Sequence, residues 1–155
     1  MNFKKCNGHK IKDLKEYILN YLLLYPDVLI YIGTDCKRRK QKYNYVTTIC
    51  FRRPGNGIHI IYERRSFQLK EIKSLFEKLW KEVVITVEIL EEITKYVDKS
   101  KIVIDLDYTV LEKHDSIIVT DSATGWIKGL GVNVRTKPNA WAASCAADYL
   151  VNRKS

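Results

Sequence analysis

The sequence predicts a single α/β domain, on three observations. The apolar run Val28 to Ile32 leads through Gly33 and Thr34 to a lone carboxylate, Asp35, at the end of a buried strand. Two more strand-like stretches follow before any long helix, and after them helical and strand-like periods alternate. The 155 residues, 46% apolar, suffice for one real core, so residues 1–155 are expected to form one domain with 1–27 as an N-terminal helical flank.

Ile11 to Tyr25 carries apolar residues at Ile11, Leu14, Ile18, Tyr21, Leu22 and Tyr25, which is helical spacing, and Pro26-Asp27 stops it. Val28 to Thr34 is the first strand. Tyr43 to Phe51, rich in β-branched and aromatic residues, is the second, and Ile58 to Tyr62 the third, with the turn Pro54-Gly-Asn-Gly57 between them. The basic run Lys37 to Lys42 is expected to connect the first hairpin.

Phe67 to Val97 is expected to be mostly helical, with Leu69, Ile72, Phe76, Leu79, Val83, Val87 and Leu90 on one face. Glu82 falls about 100° from the centre of that stripe, at its border with solvent. Lys101 to Tyr108 is a fourth strand, with Ile102, Ile104 and Leu106 on one side and Val103, Asp105 and Asp107 on the other. An exposed edge tolerates such acids; a place beside the first strand would instead bring Asp105 close to Asp35 and leave Asp107 peripheral. His114 to Leu130 is a further helix and Val132 to Thr136 a short fifth strand. Ala140 to Val151 is the final helix, in which Ala142, Ala143, Ala146 and Ala147 permit close approach to a sheet and Asp148 is the one acid.

The net charge of +9 is concentrated. Between Cys36 and Lys70 stand ten cations (Lys37, Arg38, Arg39, Lys40, Lys42, Arg52, Arg53, Arg64, Arg65, Lys70) against Glu63, a difference of 10 − 1 = +9. A solvated basic face is the ordinary meaning of such a run; directly after Asp35, it also suits phosphate attraction beside an acidic site. Cys6, Cys36, Cys50 and Cys145 form no Cys-x-x-Cys pair, which argues against a zinc site or disulfide framework. His9, His59 and His114 are expected to be surface or packing residues. No stretch approaches the ~20 apolar residues of a membrane span, and Met-Asn-Phe-Lys-Lys opens no hydrophobic signal core; a cytoplasmic protein is expected.

Gly33-Thr34-Asp35, the Ile104-Asp105 strand, Gly125-Trp-Ile-Lys-Gly-Leu-Gly131 and Lys137-Pro-Asn-Ala-Trp-Ala-Ala-Ser-Cys-Ala-Ala-Asp148, in that order, resemble the YkuK-type family of ribonuclease H-like proteins. The last block is the specific part of the match. The resemblance implies a ribonuclease H-like fold: a mixed five-stranded sheet, three antiparallel strands first, with helices on both faces. It also implies that the catalytic acids are Asp35, Glu82, Asp105 and Asp148, with Glu71 and Glu77 as alternatives to Glu82 on the same helix. The chain departs from the pattern in two places: Cys36 stands where the family usually has Ser, and no His occurs in the turn Arg135 to Asn139, where ribonuclease H has one.

Carboxylates held within a few ångströms raise one another's pKa unless a cation neutralises them, and Mg²⁺ or Mn²⁺ suits an all-oxygen cage. Two such ions about 3.5–4 Å apart serve in-line displacement at a phosphodiester. The chain is therefore expected to be a metal-dependent nuclease, with Asp35, Glu82, Asp105 and Asp148 as metal ligands and Lys37, Arg38, Arg39, Lys40, Lys42, Arg52 and Arg53 on the nucleic-acid backbone. The alternatives are a non-catalytic nucleic-acid-binding or regulatory module of the same fold, or a structure-selective nuclease, since Ala146-Ala-Asp148 also resembles the last-helix acid of RuvC-type resolvases.

Overall fold

The computed structural model describes residues 1–107 and 114–152, without the side chains of residues 114–116, 143–145, 148 and 151. Tyr108, expected to end the fourth strand, and the side chains of His114, Cys145 and Asp148 therefore lie outside the description.

The chain forms, in order, β1 (Lys4–Lys5), α1 (Leu14–Leu24), β2 (Leu29–Arg39), β3 (Lys42–Arg52), β4 (Ile58–Gln68), α2 (Leu75–Ile93), β5 (Ile102–Leu106), α3 (His114–Gly129), β6 (Asn133–Thr136), a π-helical segment (Ala142–Ala147) and α4 (Asp148–Asn152). The strands make one sheet in the order β1-β4-β3-β2-β5-β6, antiparallel from β1 to β2 and parallel from β2 to β6. The class is the expected one, with six strands where five were predicted. The extra strand lies in the predicted helical flank: Lys4 pairs with Tyr62 because Phe3 beside it is buried in the core. Two residues leave no periodic trace in a sequence.

Alternation along each strand defines two faces. Ile30, Ile32, Thr34 and Cys36, with Tyr45, Ile49, Phe51, Ile61, Ile102 and Ile104, face α1, α2 and α3 and form the main core. Tyr31, Gly33 and Asp35, with Val46, Thr48, Cys50 and Asp105, face the C-terminal segment, where Ala142 and Ala146 pack on Tyr31 and Cys50, and Leu150 packs on Val46.

Three boundaries differ from expectation. The basic run is mostly strand: pairing continues to Arg39↔Lys42, so only Lys40 and Gln41 turn, with Lys40 at φ 51°. β5 follows β2 only as far as Gly33, leaving the rest of the β2–β3 hairpin as an arm with Asp35 at its base. Phe67 and Gln68 belong to β4, and α2 begins at Leu75 behind an N-cap in which Ser74 Oγ accepts from Glu77 N at 3.0 Å. The final helix opens in π form before α4. No described helix is long and apolar enough to cross a membrane.

His59 joins α1 to the sheet. Its Nε2 shares a 2.7 Å hydrogen bond with Tyr17 Oη, and its ring stacks on Tyr21 at 5.1 Å and on Phe51 at 5.7 Å. Burial, and after it the charge of Lys5, lowers the pKa of His59 from its ordinary value. The unfolded chain therefore binds the proton more readily. The contribution to stability is complete above the unfolded value of about 6.5 and is lost as pH falls through the lower folded value. Thermal melts across this range should show stability declining below about pH 6.5, and His59→Gln should flatten the decline; an equal decline in the variant would place its origin elsewhere.

Candidate functional site

Asp35 sits two residues past Gly33, which is in register with Asp105 across the parallel β2–β5 pair. Both acids lie on the face covered by the C-terminal segment. Asp35 is half-buried, and its Oδ1 accepts the Cys36 amide at 2.8 Å. In β3 its partner is Val46, on which Leu150 packs, so the backbone of Asp148, two residues before Leu150, enters the same neighbourhood.

Asp105 has a different environment. β5 is an inner strand, not an exposed edge, and Asp105 is fully buried. Its Oδ1 accepts Arg135 Nε at 2.9 Å, and its Oδ2 accepts Arg135 Nη2 at 2.9 Å, the Trp141 amide at 2.9 Å and the Ala142 amide at 2.7 Å. Three of these four hydrogen bonds converge on Oδ2 and one on Oδ1, with the Arg135 guanidinium bridging both oxygens. Arg135 is the partner that sequence reasoning missed. It stands opposite Asp105 in β6, and its guanidinium lies 4.5 Å from the Tyr31 ring. A signal existed: a buried Asp needs a cation, and Arg135 is the cation of the next strand.

Asp107, expected to be peripheral, stands one residue past the end of β5. The pairing of Gly33 with Asp105, continued by two residues, would bring Asp107 level with Asp35. Its side chain is 14% exposed, and its Oδ1 meets Lys137 Nζ at 2.6 Å.

Glu82 is on the other side of the sheet. It is buried, not at a solvent border, because α2 buries a broad face that includes Leu79, Val83, Ile85, Thr86 and Ile89. Thr86, one turn further on, meets Thr34 at 2.7 Å, which fixes that face of α2 on the Thr34–Cys36 side. Glu82 Oε1 lies 3.7 Å from Lys78 Nζ. Burial, and after it the Glu82 carboxylate, pushes the Cys36 thiol up to about 12. Cys36 thus points away from Asp35, and a hydroxyl at this position would also lie on the far face. Glu71 and Glu77 serve local caps: Glu71 accepts the Gln68 amide at 2.5 Å and Glu77 the Lys73 amide at 2.6 Å. Among the described residues, no three His, Cys, Asp or Glu side chains converge as a ready cation site.

The basic residues divide into separate groups. Lys37 and Arg39 lie on the Asp35 face and reach the end of α4, Lys37 Nζ donating to Asn152 Oδ1 and Arg39 Nη2 to Asn152 O. Arg38, Lys40 and Lys42 are exposed on the hairpin arm. Arg52 and Arg53 are at the far end of β3, ten residues from Lys42, or roughly 34 Å at strand rise. Arg53 lies over the Tyr25 ring at 3.8 Å. One phosphate run beside Asp35 does not span both ends.

Residues 10–152 match the family model described as Ribonuclease H-like. The chain belongs to the ribonuclease H-like family. A comparison with curated proteins returns no match. Membership among ribonuclease H-like proteins supports a nuclease-type or nucleic-acid-related function.

Proposed function

We propose that this ribonuclease H-like chain is a metal-dependent nuclease cleaving the phosphodiester backbone of nucleic acid, with Asp35 and Asp107 as cation ligands and Asp148 joining them from α4. The observation behind the reading is the β2–β5 register, which ends at Gly33↔Asp105 and, continued by two residues, would set Asp107 level with Asp35 on one face. The reading leaves out two acids of the four-carboxylate set that the resemblance implies: Asp105, which is fully buried and bonded to Arg135 and two amides, and Glu82, which faces the other layer. The remaining donors are all oxygen, which suits Mg²⁺ or Mn²⁺. Such an ion, when bound, supplies Lewis-acid polarisation and an activated water. Arg38, Lys40 and Lys42 would bind phosphates, and Lys137 would balance the charge of Asp107.

A second reading, a nucleic-acid-binding module without turnover, is favoured by one observation: the pairing of Asp105 with Arg135 leaves fewer acids near Asp35 than a four-carboxylate centre has. The test is cleavage of hybrid, single-stranded and branched substrates, with melting curves recorded with and without Mn²⁺. Metal-dependent products and a Mn²⁺-dependent rise in melting temperature are expected. Binding with neither would establish the second reading, and cleavage confined to branched substrates would identify a structure-selective enzyme.

A further inference from the structure

We infer that the Asp105–Arg135 pair is a positioning device: it anchors the start of the C-terminal segment to the sheet and so sets where α4, opening with Asp148, lies relative to Asp35. That Asp148 matters rests on the function proposed above; the anchoring itself does not.

The amides of Trp141 and Ala142 are at the opening of the segment Ala142–Ala147, where the first N–H groups have no helical acceptor. Asp105 Oδ2 accepts both, so a carboxylate 36 residues before Trp141 acts as the cap that this helix start lacks. Arg135 supplies the countercharge that a fully buried carboxylate needs, and is itself held over Tyr31 and 5.9 Å from the Trp141 ring. From this point the backbone is led across the face. Thr48 Oγ1 donates to Ala142 O at 3.2 Å, Ala142 and Ala146 bury against Tyr31 and Cys50, and Leu150 packs on Val46. The far end is held by Arg64 Nη2 on Leu150 O and Arg39 Nη2 on Asn152 O. Residues 141–152 are thus a strap clamped at both ends that passes over β2, the strand of Asp35. Asp105 acts through that strap and not on the substrate.

A ligand and an anchor respond to neutralisation with opposite signs. Removing charge from a cluster of repelling carboxylates stabilises the metal-free protein; removing it from Asp105 strands the Arg135 guanidinium and destabilises it. In metal-free melts, Asp105→Asn is expected to lower the midpoint by on the order of 10 °C, and Asp35→Asn not to lower it. Amide exchange of the 137–147 peptide should rise in Asp105→Asn, while the Mn²⁺-dependent rise in midpoint persists. Arg135→Lys, the milder variant should Asp105→Asn fail to fold, should raise the same exchange. Assayed at equal margins below its midpoint, it should lower kcat with KM and Mn²⁺ half-saturation unchanged. A higher metal-free midpoint in Asp105→Asn together with loss of its Mn²⁺ response would overturn the inference and make Asp105 a ligand. Unchanged exchange in both variants, or an unchanged kcat in Arg135→Lys, would overturn it as well. A wild type without cleavage on any substrate would remove the proposed function and leave the anchor to be judged by melting and exchange.

Discussion

Asp35→Asn is expected to reduce Mg²⁺- or Mn²⁺-dependent cleavage by on the order of 10³-fold, about 4 kcal/mol of transition-state stabilisation, while oligonucleotide affinity stays near the wild-type value. The substitution keeps the shape of the side chain and keeps an oxygen to accept the Cys36 amide, so the base of the hairpin arm is preserved. What it removes is the charge that a divalent cation requires. Phosphate contacts come from other residues, and these position the backbone independently of the chemistry. In metal-free protein the melting temperature should be unchanged or higher, since one of the carboxylates sharing the site becomes neutral. Cleavage and melting, each with and without Mn²⁺, measure all three effects. Full activity in the variant would remove Asp35 from the reaction.

The second large effect is electrostatic and tests the division of the basic residues. Affinity for a short oligonucleotide should fall with salt at a slope of roughly −0.7 to −0.9 per phosphate contacted. Replacing Arg38, Lys40 and Lys42 by Ala should flatten that slope by roughly 2 to 3, because these side chains are exposed on the arm that leads from Asp35, Lys42 on the Asp35 face and Arg38 on the opposite one. The pair Arg52→Ala/Arg53→Ala should leave it unchanged, since these residues stand at the opposite end of β3 and Arg53 is committed to Tyr25. Variants of Lys37 and Arg39 are poor probes here, because both side chains also hold the end of α4. A slope that responds equally to both sets would return the charge to a diffuse role in solubility.

The elements that bury apolar surface were legible in the sequence. Val28 to Ile32, the β-branched stretch of β3, and the 3.6-residue spacing of α1 and α2 each carry the period of the structure they form. The boundaries that were missed have a common cause. β2, β3 and β4 each run to 11 residues because backbone pairing continues along the hairpin arm, where charged side chains on both sides erase the apolar alternation that marks a strand. Glu82 was misplaced because a helical wheel assumes one apolar stripe, whereas α2 lies between the sheet and α3 and buries a wider arc. The π-helical form of Ala142–Ala147 has no residue signature, since a run of small residues fits either helix.

The proposed site was legible only as a set of acids on one face. Parity along the expected strand Lys101 to Tyr108 put Asp105 and Asp107 on the same side, and parity cannot choose between them. The choice depends on the register of β5 against β2 and on the presence of Arg135, and both are long-range facts: the register joins residues some seventy positions apart, and the cation comes from a strand that forms after α3. A sequence period carries neither.

The most direct measurement is a crystal structure of the wild-type protein soaked in Mn²⁺, with anomalous density to locate the ion. The expected result is density between the carboxylates of Asp35 and Asp107, with Asp105 still bonded to Arg135 and to the amides of Trp141 and Ala142. Density on Asp105 with Arg135 displaced, or a soaked crystal with no ion near Asp35, would contradict it.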